Sequence, residues 1–159
     1  REPVGSTASP INSYFALVAD DASIQIVAEA QIAYAKPLMA QMGQIPWEPP
    51  NVSGWPKGDQ WLNSSNVLNW SRLANLMVTR GFDEDGEQVG PISPFVTKVF
   101  TRSTAQTSAR YVCDQAGLIP VSKETVAVIK AYARGGTWSP ARAAGVVNLV
   151  FLSPEFLAN

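Results

Sequence analysis

An all-α fold is what this sequence predicts, and three observations carry the prediction. No run of residues alternates apolar and polar at period two, the pattern of a half-buried strand. Apolar residues recur instead every three or four positions, in segments separated by glycine, proline and serine. Four Ser-Pro dipeptides, Ser9-Pro10, Ser93-Pro94, Ser139-Pro140 and Ser153-Pro154, each stand directly before an apolar-periodic run. A serine at N-cap accepts a backbone N–H that the helix cannot satisfy, and a proline at the first helical position has no N–H to orphan, so the pair is a favoured helix start.

The elements follow in order. Pro10 to about Val18 reads as a first helix, and Ser23 to Met42 as a second, with Ile26, Val27, Ala30, Tyr34, Leu38 and Met42 on one side and Pro37 expected to kink or split it. Asn63 or Ser64 caps a helix to about Thr79, with Val67, Trp70, Leu73, Ala74 and Met77 on the apolar stripe and Asn69, Arg72 and Asn75 opposite. Gly81 to Gly90 is an acidic, glycine-rich loop, and Pro94 to Phe100 is a short helix. Ser103 to Ala116 reads as the next helix, with Ser103 and Gln106 in capping-box positions and Gly117 as terminator. Ser122 to Ala133 is apolar at Val126, Ile129 and Ala133 and is stopped by Gly135-Gly136. Ser139 to Leu152 carries Val146, Val147, Val150 and Phe151, and a last turn starts at Pro154. With 159 residues the expectation is one helical domain over 1–159.

The segment from Ile45 to Met77 holds four of the five tryptophans, Trp47, Trp55, Trp61 and Trp70, and it begins in a stretch where Pro46, Pro49, Pro50 and Pro56 forbid regular helix. Each indole can bury about 150–250 Å². At about 25 cal/mol per Å² that is at most ~4–6 kcal/mol per ring, so a long ordered loop is expected to lay its rings on the helices around it. The same loop is the candidate binding site: Trp47, Trp55 and Trp61 lie among Asn51 and Asp59, and flat indoles beside amides and carboxylates suit either sugar rings or a protein partner. Against that, Asn51, Asp59 and Asn63 are typical turn and cap residues that satisfy backbone groups locally.

Composition excludes several classes of function. There is no histidine, which removes the commonest general base and metal ligand together with Ser-His-Asp and Cys-His arrangements. A net charge of −1 gives no basic field for nucleic acid. The longest apolar run, Ala143 to Leu152, is interrupted by Gly145 and Asn148 and is about half the ~20 residues that span a bilayer. Cys113 has no second cysteine to pair with, and its spacing from Ala109, Val112 and Ala116 places it on an apolar helix face as an inert packing residue. Asp83, Asp85 and Glu87 alternate as calcium ligands do, but the sixth position from Asp83 is Gln88 and the twelfth is Pro94, where a calcium loop needs glycine and glutamate. No G-x-S-x-G, S-x-x-K or G-x-G-x-x-G occurs. No catalytic residue, metal ligand or cofactor is assigned.

The run PPNVSGWPKGDQWLNSSNVL, Pro49 to Leu68, resembles the PPNVxGWPGGxxWLNxSxLL signature of a bacterial family known as domain of unknown function 1800. The ending LVFLSPEF, Leu149 to Phe156, is similar to that family's terminal LxLASPEF, REPV at Arg1 to Val4 looks like its SPVEF-type opening, and PVSKETVAVIKAY like its penultimate helix. Lys57 stands where the family usually has glycine. The resemblance implies a mostly helical fold, a longer parent protein of which this chain is the C-terminal portion, and export from the bacterial cytoplasm. It implies no catalytic residue, because no activity is established for the family. Together these readings describe an irregular multi-helix bundle acting as a non-enzymatic structural and interaction module, whose partner is a protein, either the rest of its own parent chain or a neighbouring subunit. The rival reading is a carbohydrate-binding or carboxylate-dependent hydrolytic domain built on Trp55, Asp59 and Trp61, with Glu48 as a second carboxylate.

Overall fold

The computed structural model describes residues 35–45, 48–54, 62–79, 81–82, 85–90 and 92–158, and among them the protein is all-α. The expected Pro10–Val18 helix and everything before residue 35 lie outside the described residues. Seven helices are described: α1, seen over 35–41, α2 (Ser64–Thr79), α3 (Pro94–Arg102), α4 (Ser108–Gln115), α5 (Lys123–Arg134), α6 (Pro140–Phe151) and the single turn α7 (Pro154–Leu157). One isolated antiparallel bridge, Phe82 with Gln88, is the extent of β pairing among the described residues.

Local chemistry accounts for the helix ends. Asn63 Oδ1 accepts the N–H of Asn66 (2.9 Å) at the start of α2. Ser122, Ser139 and Ser153 accept the N–H groups of Thr125, Arg142 and Phe156 in the same way. Ser93 occupies the N-cap position of α3 without a side-chain bond, so Pro94 alone carries that start. At the C-termini of α1 and α4 the chain turns through left-handed glycines, Gly43 (φ 63°) and Gly117 (φ 70°). In each the next residue donates back across the turn, Gln44 to Met39 (2.9 Å) and Leu118 to Cys113 (3.0 Å), while the glycines donate to Ala40 and Asp114. That pairing is the Schellman arrangement, and only glycine takes the left-handed position without Cβ strain.

Two sequence expectations are corrected. The helix expected from Ser103 begins later, because Ser103 closes α3 instead: its N–H and its hydroxyl both go to the Val99 carbonyl (3.1 and 2.6 Å). The expected capping box is not formed: Thr107 Oγ1 accepts the Thr104 N–H (2.9 Å) and the Thr104 carbonyl accepts the N–H of Thr107 and Ser108 in a turn ahead of α4, whose N-cap Thr107 makes no side-chain cap bond. On α2 the buried face is rotated from the expected stripe: Asn66 and Asn69 are buried and Val67 is half-buried, whereas Arg72 and Asn75 are exposed as expected. The helical stretch 35–41 includes Pro37, and any kink upstream of it lies outside the described residues.

The helices are organised around α6, which touches α2, α3, α4, α5 and α7. Ala143, Ala144, Val146, Val147, Val150 and Phe151 of α6 are all buried, so the helix is apolar around most of its circumference, and its small side chains let several neighbours approach together. At its C-terminal end stands the aromatic centre of the core. The fully buried Trp70 donates its indole Nε1–H to the Phe151 carbonyl (2.8 Å) and stacks on Phe156 at 5.8 Å between ring centroids. Phe151 meets Phe156 edge-on at 4.8 Å and Phe95 at 6.4 Å. This packing ties α2, α3, α6 and α7 at one point.

A second tie runs from α7 to the start of α5. The Glu155 carboxylate accepts the Ser122 N–H (3.1 Å) and the Thr125 hydroxyl (2.9 Å), the negative charge lying at a helix N-terminus where the dipole favours it. Hydrogen bonding from Ser122, ahead of a smaller opposing effect of burial, holds this carboxyl below the usual glutamate range. A carboxyl lowered in the folded state adds stability above its unfolded pKa, and loses that contribution as pH falls through its folded value. Glu155→Gln is therefore expected to destabilise the protein at pH 7 and to matter progressively less in acid, where urea denaturation of the two proteins at pH 7 and pH 3 should show the gap narrowing. Trp70→Phe keeps most of the apolar area but removes the hydrogen bond to the Phe151 carbonyl, and is expected to cost about 1 kcal/mol in the same measurement.

Candidate functional site

The polar side chains of the described residues converge on an open groove of about 740 Å³ between the C-terminal half of α2, the acidic loop, the end of α5 and the first three turns of α6. That volume lies within the range of small-ligand sites. Each wall follows from local sequence. Gly81 (φ 93°) and Gly86 (φ 82°) turn the acidic loop back on itself, and Val89 and Gly90 both donate to the Gly81 carbonyl (2.8 and 3.2 Å). The expected solvated turn is seen where it is described, with Asp85, Glu87 and Gln88 exposed.

From α6, Arg142, Gly145 and Asn148 face the groove at spacings of three residues. Gly145 and Asn148 are the two interruptions of the apolar run, and both line the groove. Asn148 Nδ2 donates to Asn75 Oδ1 on α2 (3.3 Å), which leaves Asn148 Oδ1 shielded and without a partner. Arg142 lies over the Tyr132 ring, its guanidinium carbon 4.8 Å from the centroid, and donates Nη1–H to the Tyr132 carbonyl (3.3 Å). It forms no ion pair among the described residues.

Two glycines make room for this stack. A Cβ on Gly136 would collide with the Arg142 guanidinium, and one on Gly145 would collide with the Tyr132 hydroxyl and ring. Neither glycine has a left-handed φ, so space rather than backbone conformation is the reason for its lack of a side chain. Gly145 sits inside α6, where glycine is about 1 kcal/mol worse than alanine. The position thus gives up helix stability in order to let Tyr132 lie against the helix.

The groove contains carboxamides, hydroxyls, one guanidinium and two carboxylates, but no nucleophile placed against a base. Ser139, its most obvious hydroxyl, is committed to capping α6. Among the described residues no group of three or more Asp, Glu, Cys or His side chains could hold a metal ion. Cys113 is buried on α4 and its thiol is pushed up to about 11, first by burial and then by the charge of Asp114, so it stays protonated and packs as the sequence suggests.

The expected tryptophan-loop site divides differently. Trp47, Trp55, Asp59 and Trp61 lie outside the described residues. Asn51 is exposed and serves its own turn, its Oδ1 accepting the Ser53 N–H (2.8 Å) and its carbonyl the Gly54 N–H (3.0 Å). Glu48 is exposed. The groove on α6 was not foreseen from the sequence; the signal available was the spacing of Arg142, Gly145 and Asn148.

Alanine at position 145 separates packing from propensity. Helix propensity alone favours Gly145→Ala, but displacement of Tyr132 is expected to outweigh it and to cost about 1–3 kcal/mol net on thermal or urea unfolding, with a changed near-ultraviolet tyrosine signal. A stabilised variant would show that Tyr132 does not rest on the helix.

Comparison with known proteins gives two matches. The model of a family described as "Protein of unknown function (DUF1800)" matches residues 1–158. The chain is also similar, at 61% identity over 36 residues, to the trifunctional nucleotide phosphoesterase protein YfkN of Bacillus subtilis (strain 168); that stretch is 23% of this chain and 2% of the relative's length. No solved structure matches the chain.

Proposed function

The chain belongs to the DUF1800 family of proteins of unknown function, and we propose that within it this region is a non-enzymatic helical module, structural in itself and a docking element for the rest of an exported bacterial protein or for a neighbouring subunit. One observation carries the reading. The helix that follows the first signature run meets the second run, Trp70 stacking on Phe156 and bonding to the Phe151 carbonyl. The signature residues described at that junction are spent on packing, and no paired nucleophile and base accompanies them.

The likeness to the phosphoesterase supplies no activity to this chain, because it covers so small a part of that protein. Among the described residues no helix is long and apolar enough to cross a membrane. Export and a protein partner are parts of the proposal, the first from the family resemblance and the second from the absence of a catalytic pattern in the sequence.

The proposal is tested in the tryptophan loop. Trp55→Ala is expected to lower the melting temperature by several degrees, with loss of helical circular dichroism at a temperature where the parent sequence is folded, and to leave no glycan-dependent fluorescence to be lost. An unchanged melting curve together with a glycan titration that the substitution abolishes would replace the structural module with a recognition domain. Fractionation of cells expressing the full-length protein tests export separately, and a wholly cytoplasmic protein would remove that part.

A further inference from the structure

The Arg142 groove has a construction that packing alone does not explain. If Arg142 served only to staple α6 to the end of α5, its one hydrogen bond and its contact with the Tyr132 ring would suffice, and the guanidinium would need no opening in front of it. Instead, among the described residues one of its five N–H donors has a partner, and it is half-buried on the wall of an open cavity. Its orientation is set in advance by the ring beneath it and by the space at Gly136 and Gly145. A guanidinium held over a ring with one N–H committed still has donors with which to receive a planar carboxylate.

The remaining lining narrows the ligand. Asn75 and Gln88 offer carboxamides, each with one internal bond and further donor and acceptor capacity, and Thr137 and Thr79 offer hydroxyls, that of Thr79 only as an acceptor because it donates to the Asn75 carbonyl, a set that suits sugar hydroxyls. Ala141, Ala144 and Gly145 of α6 add small apolar residues to the lining, against which the face of a sugar ring can lie. Asn148, bonded to Asn75, holds that carboxamide in place. The exposed residues Asp85 and Glu87 line the groove from the acidic loop.

We propose that this groove binds an acidic saccharide, with Arg142 receiving a uronate carboxylate and the carboxamides of Asn75 and Gln88 receiving hydroxyls. This site is separate from the tryptophan loop and does not depend on the packing role proposed for it.

The test is calorimetric titration of the whole chain with trigalacturonate and with its methyl ester, which keeps the sugar and removes the charge. The acid is expected to bind at least about tenfold more tightly than the ester, a difference set by one charge-assisted hydrogen-bonded pair. Arg142→Gln is expected to bring the acid down to the level of the ester. Asn75→Ala, which leaves the Arg142–Tyr132 stack untouched, is expected to weaken acid and ester equally. Should Arg142→Gln fail to fold, titration of the unaltered chain across rising salt gives the same information, since only the acid's affinity should fall. No binding of the acid, equal binding of acid and ester, an acid-to-ester ratio unchanged by Arg142→Gln or by salt, or indifference to Asn75→Ala would each overturn the proposal.

Discussion

The described part of the molecule depends on one contact, the indole of Trp70 set between the end of α6 and the ring of Phe156. An indole inside a protein must place both its area and its N–H, and few positions allow both. The last carbonyls of a helix are one such position, because no residue of the helix itself bonds to them. Trp70 Nε1–H donates to the Phe151 carbonyl, so an acceptor at the end of α6 becomes the anchor for a neighbouring helix. The bond is directional while the stacking on Phe156 is broad, and together they set where α2 crosses α6 and where the chain must turn into α7. Ser153 supports that turn, donating its hydroxyl to the Val150 carbonyl and accepting the Phe156 N–H.

From this anchor the architecture follows outward. With α6 held at its C-terminal end, its small apolar residues draw α3, α4 and α5 around it. Glu155 closes the circuit by capping α5 from α7. The groove forms along Arg142, Gly145 and Asn148 of α6, against which Tyr132 of α5 and Asn75 of α2 rest. The site is thus a by-product of how the core is arranged, built on the rigid central helix rather than on a mobile element.

Helix starts and stops were the legible part of the sequence, since capping is local chemistry between residues three or four apart. The start of α2 at Asn63, the Ser-Pro starts of α6 and α7, and Gly117 as a terminator could all be read without knowing the fold. Which face of a helix is buried was less legible. Asn69 looks polar and so was assigned to solvent, but burial on α2 is decided by α6 and its neighbours, and the helix turns to bring Trp70 into the aromatic cluster. Ser103 was read as a start because serine serves both ends of helices, and only the Val99 carbonyl within reach of its hydroxyl made it a stop. The groove was illegible because its residues come from four segments. Its only linear trace was a pair of breaks in an apolar run, and such breaks also occur where nothing binds. Of the four indoles in that segment, Trp70, on the helix that follows the loop, is the one among the described residues, and it is a packing member of the core.

A double-mutant cycle between Trp70 and Phe156, each replaced by leucine singly and together and followed by urea unfolding, measures the central contact most directly. The account predicts that the two substitutions are coupled by about 1 kcal/mol, because each ring loses its partner only once. Additive effects, with the double variant losing the sum of the single losses, would contradict it and place the organising contact of the fold elsewhere.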